Sequence, residues 1–180
     1  MDYRGRRQRP ATDDKVLTDW NGLGISGLAS AGRLLGDDEL TRRATAVADF
    51  VLAKLRPEGG PLRHTWRAGS ARVPAFLSDY AFLIRGLLEL HESTGERRWR
   101  VEALTLAQEQ EERLGDPSGG YYVAAESGEV PFRSKEIFDG ALPSGNGIAI
   151  QNLLALAEVT GEERWLERAN TSIGAFSSLL

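Results

Sequence analysis

The chain has 180 residues, of which 41% are hydrophobic and 27% are charged, and its formal net charge is −4. This composition is typical of a single globular domain and unlike that of disordered chains. The absence of cysteine excludes disulfides, thiolate nucleophiles and cysteine zinc sites within the chain.

The first twelve residues form a basic arm, with arginine at positions 4, 6, 7 and 9. Such an arm can contact phosphate, but the whole chain is acidic, so we interpret it as a solvated tail and do not expect nucleic acid as a partner. No apolar run approaches the ~20 residues of a bilayer span. No apolar segment typical of a signal peptide follows Met1. These features predict a cytoplasmic location without membrane association.

Three related segments organise the rest of the chain. In each, a helical apolar pattern ends at a glycine, an acidic residue follows, and a second helical pattern begins; the glycines are Gly36, Gly95 and Gly161. Glycine suits the left-handed position after a helix end, and an acid favours the start of the next helix. The repeat predicts three αα-hairpins, at about 20–55, 77–114 and 144–180, in one domain covering 1–180.

The two helices of each hairpin differ in their hydrophobic pattern. The second helices have an apolar stripe and a polar back, whereas the first helices are apolar on most sides, as expected for helices surrounded by protein. Inner first helices and outer second helices predict an all-α toroid. Short β-hairpins are expected between the helix pairs, above all at 119–135, where an aromatic strand, a turn and a second strand follow one another.

Three blocks of sequence resemble a known family. They read DDKVLTDWNGL at 13–23, SDYAFLIRGLLEL at 78–90 and FDGALPSGN at 138–146. They are similar to the family of spermatogenesis-associated thioredoxin-like proteins, in which a thioredoxin-like domain precedes an (α/α)6 barrel of the six-hairpin glycosidase and N-acylglucosamine 2-epimerase type. The resemblance implies that this chain is part of that barrel, without the thioredoxin-like domain, and has a link to carbohydrate metabolism.

Three aspartates recur at intervals of 60 residues, each at or just before an inner helix: Asp19, Asp79 and Asp139. Inner helices pack about 8–10 Å apart. Neighbouring carboxylates are therefore expected in the range of about 6.5–9.5 Å that inverting glycosidases use for acid and base. We predict a carbohydrate site with Asp79 and Asp139 as acid and base and Asp19 in support. No pattern indicates a metal or a cofactor.

Further residues are candidates for binding the sugar. Aromatic faces for stacking are expected from Trp20, Tyr80, Tyr121 and Tyr122. Groups for hydroxyls or an acidic sugar are expected from Asn21, Arg133, Lys135, Ser144 and Asn146. Each has a structural alternative, because aspartates commonly cap helices and tyrosine or tryptophan commonly lies in the core with a hydrogen-bonded polar tip.

The chain contains only two histidines, His64 and His91. Epimerases of the barrel class that this chain resembles use histidines that point into the barrel for proton transfer. His91 lies at the C-terminal end of its helix, where a cation suits the helix dipole, so we interpret it as structural. His64 lies on the side of the aspartates and stays a candidate, but the usual histidine pair is not supported.

Two functional hypotheses follow from these patterns. The first is a barrel segment that binds or processes a carbohydrate, as a hydrolase or isomerase. The second is a non-catalytic module that docks a thioredoxin-like domain or another protein. Three hairpins leave open barrel edges, and the last helix stops without a cap. We therefore expect a fragment of a longer protein that associates through those edges.

Overall fold

Six α-helices make up most of the computed structural model, which describes residues 7, 12–57, 60–127 and 132–177. They are α1 (Thr18–Leu35), α2 (Asp38–Leu55), α3 (Leu77–Thr94), α4 (Arg97–Leu114), α5 (Gly145–Thr160) and α6 (Glu163–Phe176). The helices pack in consecutive pairs, which agree with the predicted hairpins to within a few residues. The predicted basic arm lies outside the described residues except for residues 7 and 12. Within the described part of the chain, no helix has the length and apolarity needed to cross a bilayer.

The turn inside each hairpin depends on its glycine. Gly36, Gly95 and Gly161 have φ values of 66°, 69° and 71°, and each donates its N–H to a carbonyl of the last helical turn. A side chain would be strained in this left-handed conformation. The three aligned glycines therefore end three helices at equivalent places.

The acidic residues after these glycines all stand at the starts of the second helices, but their side chains have different partners. Asp37 caps α2, because its carboxylate accepts a backbone N–H of the first turn at 2.9 Å. Glu96 and Glu162 instead direct their carboxylates to Arg98 and Arg164, at 2.7 and 2.6 Å. The prediction that an acidic residue starts the next helix is confirmed at all three positions, because Asp37, Glu96 and Glu162 are the N-cap residues of their helices.

The core is built around α3, which packs against α1 on one side and α5 on the other, with α4 behind it. The contact with α1 brings the two backbones together, since a Cβ added to Gly22 would lie 2.6 Å from the backbone nitrogen of Leu83. Trp99 and Trp165, one from each of the last two outer helices, are buried against the inner layer. This arrangement of inner and outer helices confirms the predicted toroid segment.

A small antiparallel sheet covers one end of the helices. Its strands are β1 (Val16–Leu17), β2 (Arg63–Arg67) and β3 (Ser70–Pro74), in that order, with β2 in the middle. Strands β2 and β3 form a hairpin whose two-residue turn is Ala68 and Gly69, both at positive φ as a primed turn requires. The sheet holds β2 beside the start of α1, which follows β1 directly.

The β-hairpin predicted at 119–135 is wrong for the described residues of that stretch. Gly119 and Gly120 have φ values of 110° and 73°, which break an extended strand at its first residues. What remains is a loop, in which Tyr121 forms a bridge with Gly115 and the N–H of Val123 donates to the carbonyl of Ser134.

Candidate active site

The site begins with Asp79, whose side chain has no exposed surface at the start of α3. Its Oδ2 accepts the backbone N–H of Phe76 at 2.8 Å, which caps α3. Its Oδ1 accepts the backbone N–H of Asp19 at 3.0 Å, in the first turn of α1. One carboxylate therefore ties together the N-termini of two inner helices, where both helix dipoles favour negative charge.

His64 completes a pair with this carboxylate. Its Nδ1 lies 2.9 and 3.0 Å from the two oxygens of Asp79, and its ring packs edge-on against Phe76 with centroids 5.1 Å apart. About a fifth of the His64 side chain is exposed. A carboxylate on Nδ1 fixes the orientation of an imidazole and leaves Nε2 to exchange a proton or bind a ligand.

Burial dominates the acidity of Asp79 and raises its pKa to about 6, well above its usual value of 3.8. The hydrogen bonds from His64 and from the N–H of Phe76 lower the pKa and offset part of that rise, whereas the nearby Asp19 raises it slightly. The aspartate is thus poised to change protonation near neutral pH.

The same residues also have the composition of a cation site. Asp19, His64 and Asp79 each offer one ligand atom, and these atoms lie within 4.8 Å of one another. However, both oxygens of Asp79 already accept hydrogen bonds, and Oδ1 of Asp19 accepts the N–H of Trp20 at 2.8 Å. A cation would have to displace these bonds, so the arrangement fits a hydrogen-bonded proton-transfer site better than a metal centre.

The three predicted aspartates do not form one set. Asp19 and Asp79 lie closer together than the expected separation of acid and base, because helix capping rather than helix spacing places them. Asp139 is exposed and accepts the backbone N–H of Ser144 at 2.8 Å, at the start of α5. Asp139 therefore holds the backbone of Ser144, the residue that caps α5.

Two predicted stacking residues, Tyr80 and Tyr121, are buried and cannot present a face to a sugar; only 1% of each is exposed. Their hydroxyls donate to Glu109 at 2.6 Å and to Glu111 at 2.9 Å, and burial raises the pKa of both phenols. The prediction is wrong for both, because glutamates from α4 satisfy their hydroxyls inside the core.

The predicted binding residue Asn146 is also fully buried. Its Oδ1 accepts the N–H of Tyr121 at 2.7 Å, and its Nδ2 donates to the carbonyls of Tyr121 and Glu136. These bonds attach the loop after α4 to the start of α5. Asn146 is therefore a structural clamp and is unavailable to a ligand.

The two cationic side chains predicted to bind the sugar, Arg133 and Lys135, are held by contacts with the loop after α4. Arg133 donates to the carbonyls of Ala124 and Arg113, and its guanidinium lies 3.8 Å from the ring centroid of Tyr122. Lys135 donates to the carboxylate of Asp116 at 2.9 Å. The prediction that these cations bind an acidic sugar is therefore not supported by their contacts, and Tyr122 stacks on an arginine rather than offering a free face.

Trp20 and Asn21 follow Asp19 in the first turn of α1. Trp20 is 62% exposed, which leaves a large aromatic surface open at the rim. Asn21 donates from Nδ2 to the carbonyl of Leu17 at 2.7 Å, so part of its polar capacity serves the helix start. Trp20 therefore remains the predicted stacking residue that the structure leaves accessible.

A cavity of about 380 Å³ opens at the same end of the helices, between the starts of α3 and α5. Its volume is within the range of small-molecule sites. Its lining includes Leu77, Ser78, Val123, Glu136, Phe138 and Ser144. Ser78 directly precedes Asp79, and the hydroxyl of Ser144 caps α5 by accepting the N–H of Gly147 at 3.2 Å. Larger grooves, of about 550 and 460 Å³, are lined by residues of the outer helices, away from these helix starts.

No protein-family model matches the chain. Spermatogenesis-associated protein 20 of Mus musculus is 36% identical over 189 residues, and that of Homo sapiens is 37% identical over 186 residues. Both matches cover 97% of this chain but 24% of the relative, so the chain spans about a quarter of the length of the curated relatives it matches.

Solved structures with the same fold are carbohydrate enzymes. Cellobiose 2-epimerase from Spirochaeta thermophila has a TM-score of 0.72 and 16% identity, over 90% of this chain and 43% of the enzyme. Unsaturated glucuronyl hydrolase from Bacillus sp. GL1 has a TM-score of 0.70 and 21% identity, over 95% of this chain and 49% of the enzyme. D-mannose isomerase has a TM-score of 0.72 and 15% identity, over 90% of this chain and 40% of the enzyme. At these identities the likeness shows the fold alone. The chain is thus similar over nearly its whole length to about a quarter of spermatogenesis-associated protein 20, and it is folded like part of a six-hairpin α/α barrel.

Proposed function

We propose that the rim at the N-termini of α1, α3 and α5 binds a carbohydrate, and that His64 transfers a proton there as a general base. The observation that carries this proposal is the contact of His64 Nδ1 with the buried carboxylate of Asp79. The names of the structural neighbours, an epimerase, an isomerase and a hydrolase of sugars, support the substrate class.

In this proposal the two residues have different roles. The neutral imidazole of His64 accepts a proton at Nε2, and the ionised form of Asp79 stabilises the imidazolium that results. Asp79 has no exposed surface, so it does not touch the substrate and acts as a positioning residue. The raised pKa of Asp79 predicts that the pair works best above about pH 6, where the carboxylate is ionised.

A single base favours aldose–ketose isomerisation over epimerisation. His91 lies at the opposite end of α3, where its Nδ1 contacts the carbonyl of Glu96. One imidazole can remove the proton from C2 of an aldose and return it to C1 on the same face of the enediol that forms. The hydroxyl proton of O2 passes to O1 in the same conversion, and the product is a ketose. Epimerisation would need a second acid on the opposite face. Isomerisation is therefore the reaction that His64 alone can support.

The rim favours a neutral sugar. Trp20 and Phe138 expose aromatic surface there, whereas Arg133 and Lys135 are held in the loop after α4. The cavity lining contains Glu136 as its charged residue, which would repel a uronate.

The test uses the chain with D-mannose or cellobiose in D2O, and follows by NMR both the loss of the proton at C2 and the appearance of a ketose. His64→Asn can keep an amide donor near Asp79 but lacks Nε2, so the rate should fall by about 100-fold or more. His91→Asn is the matched control and should keep the wild-type rate. Equal rates for the wild type and His64→Asn would contradict the proposal.

A second candidate is the non-catalytic docking module. It is favoured by one observation, namely that both oxygens of Asp79 are already used to cap helices. In that case saturation-transfer NMR with the same sugars should give no signal, and a separately prepared thioredoxin-like domain should raise the melting temperature. Sugar binding without proton exchange would instead retain the carbohydrate site and remove the catalytic role of His64.

A further inference from the structure

The isomerisation proposed for the rim moves two protons, and His64 carries one of them. Nε2 of His64 takes the proton of C2 and holds it while the hydroxyl proton passes from O2 to O1, so it is not free to carry both. The side chain of Asp79 has no exposed surface and does not reach the substrate. The hydroxyl proton therefore needs another carrier at the rim.

Asp19 has a carboxylate oxygen available for this role. The residue lies in the first turn of α1, where its Oδ1 accepts the backbone N–H of Trp20 at 2.8 Å. Within the described ranges of the chain, its Oδ2 accepts no hydrogen bond and is not among the buried polar atoms that lack a partner. Although only 8% of the residue is exposed, Oδ2 therefore reaches solvent.

The separation of Asp19 and His64 suits two groups that act on one small substrate. An oxygen of Asp19 lies within 4.8 Å of a ring nitrogen of His64. A base reacts from about 3 Å above a carbon, and a carboxylate binds the attached hydroxyl at about 2.7 Å in the enediol plane, so the two groups should lie roughly 4–5 Å apart. The exposed ring of Trp20, next to Asp19, offers a surface for the sugar at the same place.

We propose that Asp19 is a catalytic residue that relays the hydroxyl proton from O2 to O1 of an aldose, an inference that rests on the proposed isomerisation. His64 first removes the proton of C2, the electrons of that bond form the C1=C2 bond, and the carbonyl π pair moves to O1. The carboxylate of Asp19 then accepts the proton of O2 and gives it to O1. Finally a lone pair of O2 forms the C2=O2 bond, and the C1=C2 electrons take the proton back from His64 at C1. Both side chains end the cycle as they began.

The test compares two NMR signals of one reaction in D2O, with D-mannose as the probe. Exchange of the C2 proton for deuterium requires His64, whereas the appearance of a ketose requires the hydroxyl relay as well. Asp19→Asn keeps an oxygen for the N–H of Trp20, and its amide can donate to O1, but it cannot relay a proton. Ketose formation should therefore fall by about 100-fold or more, while exchange at C2 changes by less than about threefold.

Control variants separate the relay from a structural effect. Asp37→Asn makes the same replacement at the start of α2, outside the site, where asparagine is an equally good cap, and should keep both wild-type rates. His64→Asn should lose both signals. In Asp19→Ala, added formate should restore part of the ketose formation, which a misfolded chain would not allow.

The outcomes distinguish the role of Asp19 from the proposed function. Equal losses of exchange and ketose formation in Asp19→Asn would show that Asp19 only supports α1, and an unchanged rate of ketose formation would show that water carries the proton; either result would overturn the relay. A wild type that neither exchanges the C2 proton nor forms a ketose would remove the proposed isomerisation, and the relay with it.

Discussion

At the scale of single residues, the carboxylate of Asp79 is constrained from three directions. The backbone N–H groups of Asp19 and Phe76 require an acceptor at this position, and His64 requires one as well. These bonds favour the ionised form, but complete burial disfavours it more strongly, which is why the pKa is raised. The free energy of unfolding and the proposed proton transfer by His64 therefore both depend on the protonation state of Asp79.

This coupling predicts how stability depends on pH. Because the pKa of Asp79 is raised from 3.8 to about 6 in the folded state, the folded chain keeps a proton that the unfolded chain releases. The stabilisation is fully present below about pH 3.8 and is lost as the pH rises through 6. Relative to Asp79→Asn, the wild type should lose about 2 kcal/mol between about pH 4.5 and 7.5, measured by urea unfolding.

The pH dependence of the difference in unfolding free energy between wild type and Asp79→Asn reports the titration of Asp79. The hydrogen bond that asparagine loses does not contribute to this dependence, because its cost is about the same at every pH. Asp139→Asn removes an exposed carboxylate at the same rim and serves as the control for the change in charge. A difference between wild type and Asp79→Asn that stays constant with pH would show that Asp79 remains ionised throughout.

The residues of the site could be predicted only in part from the sequence. Asp19 and Asp79 were identified because a repeat carries equivalent helix starts to one rim. The role of His64 could not be derived in the same way, since its contact with Asp79 depends on the pairing of β2 with β1, across about fifty residues of chain. Tyr80 and Tyr121 were misplaced because their burial depends on Glu109 and Glu111, which lie on a different helix.

At the scale of helices and strands, local signals located most of the elements. The helix ends at Gly36, Gly95 and Gly161 could be predicted because a left-handed residue strongly favours glycine. The wrong β-hairpin has the converse cause, since the adjacent aromatic residues Tyr121 and Tyr122 suggested a strand, whereas Gly119 and Gly120 before them have positive φ. Ala68, at φ 49° in the turn that does form a hairpin, carries no comparable signal in the sequence.

From the contact of α1 with α3 we predict opposite effects on stability for alanine at Gly22 and at Gly24, two glycines of α1. A Cβ at Gly22 would lie 2.6 Å from backbone atoms of Leu83 and Phe82, so Gly22→Ala forces the helices apart and should destabilise the chain by about 2 kcal/mol. A Cβ at Gly24 meets nothing, so Gly24→Ala should stabilise it by about 0.5–1 kcal/mol through helix propensity.

Urea unfolding at low protein concentration measures both variants without a contribution from association. The opposite signs are the important result, because a general effect of alanine in α1 would shift both variants the same way. Equal stabilisation by Gly22→Ala and Gly24→Ala would show that α1 and α3 can separate at Gly22 without loss of stability.

At the scale of the whole molecule, the hairpins form a row in which the middle one contacts both neighbours. The first hairpin is joined to it by the close backbone approach at Gly22 and Gly86. The third is joined by less extensive packing of α5 on α3, with a hydrogen bond from Asn152 Nδ2 to the carbonyl of Ala81 at 2.7 Å, and by polar contacts with α4 and its following loop, such as that of Arg168 with Glu111. In repeat folds, stability is close to a sum of such neighbouring contacts, so the two ends of the row need not be equally stable.

We therefore expect the third hairpin to open before the rest of the chain. Native-state hydrogen exchange should give lower free energies of opening for α5 and α6 than for α1 and α3. Asn152→Ala removes the bond to α3 and should lower protection in α5 and α6 by about 1–3 kcal/mol while α1 changes little. Equal loss of protection in all six helices would show instead that the three hairpins unfold as one cooperative unit, and that α3 couples the first and third hairpins despite its unequal contacts with them.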